Sequence, residues 1–238
     1  MTLANKPEAK PLRSDTKGER TRSAILAAAE AQFARRGYAA TRLDDVAEEL
    51  GMTGAALFYY FRDKGALYDA MMEHAFGTLA ARLGEALSAP TSITERIERA
   101  VEAWVDTVLA RPALARLILR HIADAEQHPT KRVYPSSDTF FRVAWPFFET
   151  AKKSGEIKPL HANPYHVASA VIGSTIFYAA ALAPLVPSGD FDPLSSDEIA
   201  AHKRDALHTA RHFLGMRPAT KKGETRPSKS ARKTARAR

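Results

Sequence analysis

The 238-residue sequence contains no cysteine, which excludes disulfide bonds, thiolate metal sites and a cysteine nucleophile. It has no glycine-rich phosphate loop and no internal repeat, and nothing in it resembles the alternating pattern of β-strands. Its first residues are charged but lack the apolar core of a secretory signal. These features predict an all-α protein, and the reducing interior suits the composition, so we expect a cytoplasmic location.

The net charge of +8 is carried by the two ends of the chain. Residues 217–238 have a net charge of +8 and residues 1–22 of +3, which leaves −3 for the other 194 residues. The isoelectric point therefore says little about the body of the protein. Residues 1–19 and 217–238 lack apolar periodicity and are predicted to be disordered basic arms. Such arms either strengthen nucleic-acid binding through phosphate neutralisation or only keep the chain soluble.

Between the arms, apolar residues recur at the three- and four-residue spacing of helices. The first helix is expected to end at Gly37, because glycine accepts the left-handed conformation that closes a helix. Longer helices are predicted over residues 64–87, 92–110, 113–125, 139–153, 163–182 and 197–214, and Pro146 is expected to kink or bound its helix. Residues 167–186 are long and apolar enough for a bilayer span, but a helix buried in a core and a subunit interface explains them better.

The segment LDDVAEELGMTGAALFYY, residues 43–60, has the spacing of a helix-turn-helix. Residues 43–50 form the first helix with small Ala47 at the crossing, Gly51 supplies the turn, and Thr53 caps the second helix. Leu57, Tyr60 and Phe61 then point inward. The outer face, which would meet a DNA major groove, consists of Thr53, Gly54, Ala55, Phe58 and Tyr59. Two helices packed only for structure could produce the same spacing.

The wider segment, residues 21–73, resembles the TetR family of repressors. The matching residues are Thr41, Val46-Ala47, Gly51-Met52-Thr53, Leu57-Phe58-Tyr59-Tyr60-Phe61 and Lys64. The resemblance implies a DNA-binding domain at residues 20–75 and a helical ligand-binding and dimerisation domain at residues 76–216. It also implies phosphate contacts by Thr41 and Lys64. Phe58 stands where the family usually has tyrosine, so that hydroxyl contact is lost or is made by Tyr59.

The second helix of the motif lacks Arg, Lys, Asn and Gln, the usual bidentate readers of guanine and adenine. We therefore predict recognition that depends on DNA shape and on apolar contact, with Ala55 or Phe58 against thymine methyls. Polar contacts are expected from Arg20, Arg22 and Arg42.

The C-terminal region contains aromatic residues that are candidates for an apolar ligand pocket: Trp104, Phe140, Phe141, Trp145, Phe148, Phe177 and Tyr178. Plain core packing explains the same residues. Few ionisable groups lie among them, which favours a small, largely apolar effector. Together with the resemblance, this predicts a repressor that binds operator DNA as a homodimer through its last two helices. The effector would release it by changing the spacing of the two DNA-reading helices.

Two other functions fit parts of the pattern. One is a DNA-binding dimer without any ligand, and the other is an enzyme that carries a helix-turn-helix. For the enzyme we find no nucleophile–base pair, metal set or phosphate loop, so we expect no catalytic activity and no cofactor. His208 and His212 have the four-residue spacing of metal ligands, but no third ligand is evident, and a solvated or interface face explains them better.

Overall fold

The computed structural model describes residues 16–123, 134–182, 185–186 and 191–216. These ranges contain nine α-helices and no strand, which confirms the all-α prediction. The helices are α1 (Lys17–Ala40), α2 (Leu43–Glu49), α3 (Gly54–Tyr60), α4 (Lys64–Ser88), α5 (Ile93–Leu109), α6 (Pro112–Ala123), α7 (Pro135–Lys153), α8 (Tyr165–Phe177) and α9 (Ser196–Leu214). A π-helical segment, Tyr178–Leu182, continues α8.

One apolar core joins the first four helices. Phe33 of α1 and Leu57 of α3 are fully buried. Tyr68 of α4 meets Phe33 edge to face, with ring centroids 5.0 Å apart. Leu117 of α6 and Tyr134 reach into the same core. The N-terminal helices are therefore packed directly onto the remainder of the chain.

The larger core lies among α4, α5, α6, α8 and α9. Helix α4 packs along α5 and α7, and α9 packs on α5 and α8. Two ion pairs fasten α9 to α5: Lys203 to Asp106 at 2.5 Å, and Arg211 to Glu98 at 2.8 Å. Because α4 begins in the first core and ends in the second, it is continuous across both parts of the molecule.

Two helices begin earlier than the sequence pattern predicts. Helix α1 starts at Lys17, so the prediction of disorder up to residue 19 is wrong at its end; residues 1–15 and the tail 217–238 lie outside the described residues. The reason is a capping box, in which Thr16 accepts from the Glu19 amide and the Glu19 carboxylate accepts from the Thr16 amide. Helix α7 starts at Pro135, which suits the first turn of a helix because proline has no N–H to satisfy.

Pro146 neither ends nor bounds α7, which runs through it to Lys153. The helix on the far side of the proline is held by its packing, since Phe148 and Ala151 are buried in a third apolar cluster with Ile157 and Leu214. Burial of this face offsets the hydrogen bond that proline removes.

Helix α8 and its π-helical continuation form an apolar stretch, Tyr165–Leu182, that is long enough to cross a membrane by length and composition. A single helix of this kind is weak evidence for a membrane protein. Only 22% of the stretch is buried, and its exposed positions include Ser169, Gly173, Ser174 and Phe177. Small residues such as serine and glycine permit a second helix to approach closely. The described chain thus leaves one face of α8 uncovered.

Candidate nucleic-acid interface and ligand cavity

Helices α2 and α3 form the predicted helix-turn-helix. Ala47 is almost fully buried between them, and Gly51 turns the chain with a φ of 63°. The Met52 amide donates to the Ala47 carbonyl at 2.9 Å, which closes the turn. Thr53 caps α3, since its hydroxyl oxygen accepts from the Ala56 amide at 3.2 Å. Each of these residues has the structural role that its spacing in the sequence predicts.

One face of α3 is buried and the other is open to solvent. Leu57 is fully buried, whereas Phe58 is 50% exposed and Tyr59 is 86% exposed. Thr53 and Ala55 lie on the same open face. Two adjacent exposed aromatic rings are unusual for a soluble surface, and they form an apolar patch on α3.

Gly54 has a packing role at the start of α3. A Cβ atom at this position would lie 3.0 Å from Oδ1 of Asp44 on α2. Glycine therefore allows the first turn of α3 to approach α2 closely. The DNA contact of Gly54 stays a prediction beside this packing role.

The three predicted arginines, Arg20, Arg22 and Arg42, are exposed. The guanidinium of Arg22 lies over the ring of Phe61, 5.2 Å from its centroid. This contact brings the beginning of α1 next to the end of α3. Arg42 precedes α2 and lies 3.6 Å from the carboxylate of Asp44, with both side chains largely exposed. Arg20 is also exposed on α1, two residues before Arg22.

Thr41 does not present a free hydroxyl. Its side chain is fully buried, and its hydroxyl donates to the carbonyl of Gly37 at 2.7 Å. Gly37 interrupts α1 with a φ of 77°, and Thr41 ties down the chain that follows it. The predicted phosphate contact through the Thr41 hydroxyl is therefore wrong for this conformation, because the group is sealed inside the protein.

Lys64 is also committed to the protein. Its ammonium donates to the carbonyls of Tyr38, Ala39 and Thr41, at 2.9, 3.1 and 3.2 Å. An ammonium has three N–H donors, so all three are used. It also lies 4.7 Å from the centroid of the Tyr38 ring. In this conformation Lys64 neutralises the carboxyl end of α1 and fixes α4 against it, and its phosphate contact stays a prediction.

A cavity of about 360 Å³ lies between α4, α5, α6, α7 and α8. Of the predicted pocket residues, Trp104, Phe141, Trp145 and Phe148 line it. Phe177 and Tyr178 do not, which corrects the prediction for both. Phe177 is on the exposed face of α8, and the Tyr178 hydroxyl donates to Glu198 of α9. The side chain of Phe140 lies outside the described residues.

Sequence reasoning missed the aliphatic part of the cavity wall. This part comes from four helices and includes Leu79, Leu83, Leu87, Ile97, Val101, Ile118, Ile122, Val171 and Ile172. Their helical spacing is visible in the sequence, but the same spacing describes any buried helix face. Only the packing of the helices shows that these faces surround empty space.

Helix α6 contacts both the cavity and the N-terminal helices. Ile118 and Ile122 line the cavity from α6. Towards α1, Arg120 donates to the carbonyl of Arg35 at 3.4 Å. Towards α4, Nδ1 of His121 lies 3.3 Å from the hydroxyl of Tyr68 in a buried hydrogen bond. A molecule that displaced α6 from within the cavity would therefore also disturb the contacts of α6 with α1 and α4.

A polar cluster joins the end of α8 to α9. Nε2 of His202 lies 3.1 Å from the Thr175 hydroxyl, and the His202 ring stacks on Tyr178 with centroids 4.2 Å apart. Burial lowers the pKa of His202, and Asp205 opposes this only in part. Burial, with the nearby Glu198 carboxylate, raises the pKa of Tyr178 to about 12. Both groups are thus held neutral near pH 7, as a structural network.

Comparison with known proteins agrees with the assignment of α2 and α3 as a helix-turn-helix. Residues 25–71 match the model of the bacterial regulatory proteins of the tetR family. The chain is 30% identical over 112 residues to the HTH-type transcriptional activator FasR of Mycolicibacterium smegmatis, covering 45% of this chain and 51% of that protein. It is 29% identical over 130 residues to the HTH-type transcriptional repressor SCO4008 of Streptomyces coelicolor, covering 48% and 62%. The aligned segments thus span half to three fifths of these relatives.

Solved structures extend the similarity over most of the chain. The transcriptional regulator SCO4942 of Streptomyces coelicolor superposes with a TM-score of 0.62 at 23% identity, covering 83% of this chain and 99% of that one. The ketosteroid transcriptional regulator KstR2 of Mycobacterium tuberculosis superposes with a TM-score of 0.58 at 17% identity, covering 82% and 95%. At these identities the comparison shows a shared fold.

Proposed function

The chain belongs to the TetR family of bacterial regulatory proteins, and we propose that it is a transcriptional regulator that binds duplex DNA through α2 and α3. The observation that carries the proposal is the open face of α3, with Ala55, Phe58 and Tyr59 exposed beside Arg22 and Arg42. The arginines supply phosphate contacts and the apolar face enters the major groove. Thr41 and Lys64 act by fixing α1, α2 and α4 relative to one another.

The proposed regulator is a homodimer joined through α8 and α9. Support comes from the uncovered face of α8, where Ser169, Gly173 and Ser174 permit close approach of a second helix and Phe177 provides apolar area. An isologous pair would present two α3 helices about 34 Å apart, one turn of B-DNA. We expect Phe177→Asp to convert the dimer to monomer in analytical ultracentrifugation and to weaken operator binding with it.

The proposed signal is a small apolar effector that fills the cavity and displaces α4 and α6. If the protein is a repressor that the effector releases, the ligand-bound protein must bind DNA more weakly than the ligand-free protein. The relatives include an activator and a repressor, so the sign of regulation is part of the proposal. A DNA-binding dimer without a ligand is the second candidate, and the relatives give no reason to expect an enzyme.

The test begins with selection of bound DNA from a random pool, followed by fluorescence anisotropy on the selected site and on random DNA. We expect the double variant Arg42→Ala, Tyr59→Ala to lose binding at least tenfold on the selected site. Lys153→Ala, an exposed change at the end of α7 and outside α8 and α9, serves as the control and should bind normally. Equal binding by the double variant would refute the α3 surface. Unchanged binding with every apolar compound that stabilises the protein would favour the ligand-free dimer.

A further inference from the structure

The wall of the cavity carries no charged side chain. Among the residues that the structure describes, no Asp, Glu, Lys, Arg or His lines it. An ionised group moved from water into such a cavity without a partner would incur a large desolvation cost. A charged group on a ligand must therefore stay outside this wall.

The wall is long enough for an extended hydrocarbon. On α4 the wall residues run from Phe76 to Leu87, which is about 16 Å along the helix axis. On α8 they run over the same number of residues, from Tyr165 to Ile176. An extended chain of ten carbons has nine bonds of about 1.5 Å each, so it is shorter than the wall.

Polar side-chain atoms are scarce in this wall. Within the described chain, the wall residues that carry one are Trp104, Trp145 and Tyr165. The indole nitrogen of Trp104 is buried away from solvent and from the cavity surface. Trp145 and Tyr165 are 40% and 54% exposed. Tryptophan and tyrosine in such positions place their rings against apolar surface and their polar tips in water.

The cavity opens to solvent at these two residues, between α7 and α8. The Tyr165 ring lies 5.6 Å from Trp145 and 6.1 Å from Phe141, centroid to centroid, and Phe141 is 43% exposed. Leu83 and Val101 also line the cavity but are only 8% and 9% exposed. Facing the cavity thus leaves a side chain nearly buried, so the exposure of the three rings comes from outside solvent. We call Phe141, Trp145 and Tyr165 the mouth.

A second edge of the wall is exposed at the end of α6. Ile122 lines the cavity there and is 63% exposed. Its side chain is entirely hydrocarbon, whereas the mouth has the polar tips of Trp145 and Tyr165. The mouth is therefore the better place for a polar group of a ligand.

We propose that the effector is an amphiphile with one polar end, whose hydrocarbon body lies in the cavity and whose polar group stays in water at the mouth. This inference rests on the proposed ligand-binding function and adds the orientation of the ligand in that site. It implies that a charge is tolerated at the mouth end of the ligand. A polar group at the other end is rejected, because it would be buried without a partner.

The first test compares three probes at pH 8 without DNA: 1-decanol, decanoate and 1,10-decanediol. Binding is followed by the fluorescence of Trp104 and Trp145, the two tryptophans of the chain, which both line the cavity. We expect decanoate to bind within about tenfold of 1-decanol, because its carboxylate remains hydrated. The diol should bind at least about fivefold more weakly than 1-decanol, because its second hydroxyl enters the apolar wall.

Equal binding of the diol and 1-decanol would overturn the one-ended orientation, and so would binding of 1-decanol without binding of decanoate. Either result would leave an apolar ligand site in place. Failure of all three probes to bind would overturn both the inference and the ligand part of the proposed function.

Two neighbouring alanines of α4 show whether the probes occupy the cavity. Ala80 lines the wall, and Ala81 is exposed beside it. We expect Ala80→Phe to weaken all three probes at least about tenfold, because the added ring fills the space, and Ala81→Phe to leave their affinities unchanged. Unchanged binding in Ala80→Phe would place the probes elsewhere and overturn the inference.

The second test places a charge at the mouth, in Tyr165→Lys and Tyr165→Glu. The measured quantity is the ratio of the Kd of decyltrimethylammonium to the Kd of decanoate. Both variants lose the tyrosine ring, so comparing them cancels that loss. We expect the ratio to be at least about threefold higher in Tyr165→Lys than in Tyr165→Glu, the size of an exposed ion pair.

The same pair of substitutions at Ile122 examines the edge at α6. Because the polar group lies at the mouth, the ratio should differ less between Ile122→Lys and Ile122→Glu than between the two Tyr165 variants. Equal ratios in the Tyr165 variants, or a larger difference at Ile122, would overturn the placement of the polar group.

Discussion

Arg111, the residue before α6, forms an ion pair with Glu30 in α1. The two side chains are only 32% and 12% exposed, so water screens the pair less than it screens most surface ion pairs. The pair joins the end of the molecule that holds the proposed DNA-binding surface to the helix that lines the cavity with Ile118 and Ile122. Its position makes it a candidate link between ligand binding and DNA binding.

Replacing Arg111 by Ala leaves the Glu30 carboxylate without its counter-ion. We expect the free energy of unfolding to fall by about 1 to 3 kcal/mol in urea denaturation. We also expect a smaller ratio between DNA affinity without and with an apolar ligand, because α6 loses a contact through which it moves α1. Anisotropy on the selected DNA site measures this ratio.

Arg116 provides the matched control, since it is an exposed arginine on the same helix. Arg116→Ala should change the unfolding free energy by no more than about 0.5 kcal/mol. It should also leave unchanged the ratio between DNA affinity without and with an apolar ligand. If Arg111→Ala lowers stability but keeps the full ligand effect, the ion pair is structural and the signal passes through other contacts of α4 and α6.

Lys64→Met tests whether this lysine holds the protein together or contacts phosphate. Methionine keeps most of the aliphatic stem but leaves three carbonyls at the end of α1 without a donor. We expect the unfolding free energy to fall by about 1 to 3 kcal/mol, while the slope of log affinity against log salt stays as in the wild type.

Arg62→Met is the control for this experiment, because Arg62 is 87% exposed and adjacent to α4. It should leave stability nearly unchanged. A drop of about one in the salt slope for Lys64→Met, without loss of stability, would show that Lys64 contacts phosphate.

The helix-turn-helix was predictable because its signals are local. Gly51 for a positive φ, Ala47 for a close crossing and Thr53 for a cap act within a few residues of where they stand. The contacts of Lys64 were not predictable in this way, because they join distant parts of the sequence. Lys64 reaches carbonyls 23 to 26 residues earlier in the chain, and no pattern near residue 64 shows that.

The sequence predicted an apolar cavity with aromatic residues, but not which of its apolar residues face it. Its aromatic residues on α5 and α7 were found from composition, but Phe177 faces away because it lies on the exposed side of α8. The hydropathy of α8 is high on all sides, so it does not distinguish an inward face from a face left for another subunit. Three-dimensional packing is needed to separate these two faces.

Phe58 provides a test of thymine recognition. Deoxyuridine lacks the 5-methyl group of thymine, so substituting it at each thymine of the selected site removes one methyl at a time. We expect about fourfold weaker binding at a contacted thymine, the value for one buried methyl group. In Phe58→Ala the same substitutions should have a smaller effect at the thymines that Phe58 touches.

Deoxyuridine placed in the flanking DNA provides the control and should leave affinity unchanged. If no thymine in the site responds in the wild-type protein, the apolar face of α3 does not read methyl groups. Recognition would then depend on DNA shape alone.

His202 predicts a loss of stability as the pH falls. Burial holds its folded-state pKa below the ordinary value of 6.5, so the unfolded chain binds the proton more readily than the folded protein does. The contribution of neutral His202 is therefore complete above pH 6.5 and is lost as the pH falls from there towards the folded-state pKa. The groups that face its ring are Thr175 and Tyr178, with Glu198 bonded to Tyr178 and Asp205 nearby.

The measurement compares the free energy of unfolding at several pH values between 8 and 5 for the wild type and His202→Gln. Thr175 donates its own proton to Val171, so it must accept from Nε2–H of His202, and a glutamine amide can replace that donor without titrating. We expect a shallower decline with acid in His202→Gln than in the wild type. Parallel curves for His202→Gln and the wild type would mean that His202 is protonated as easily in the folded protein as in the unfolded chain, against the effect of its burial between α8 and α9.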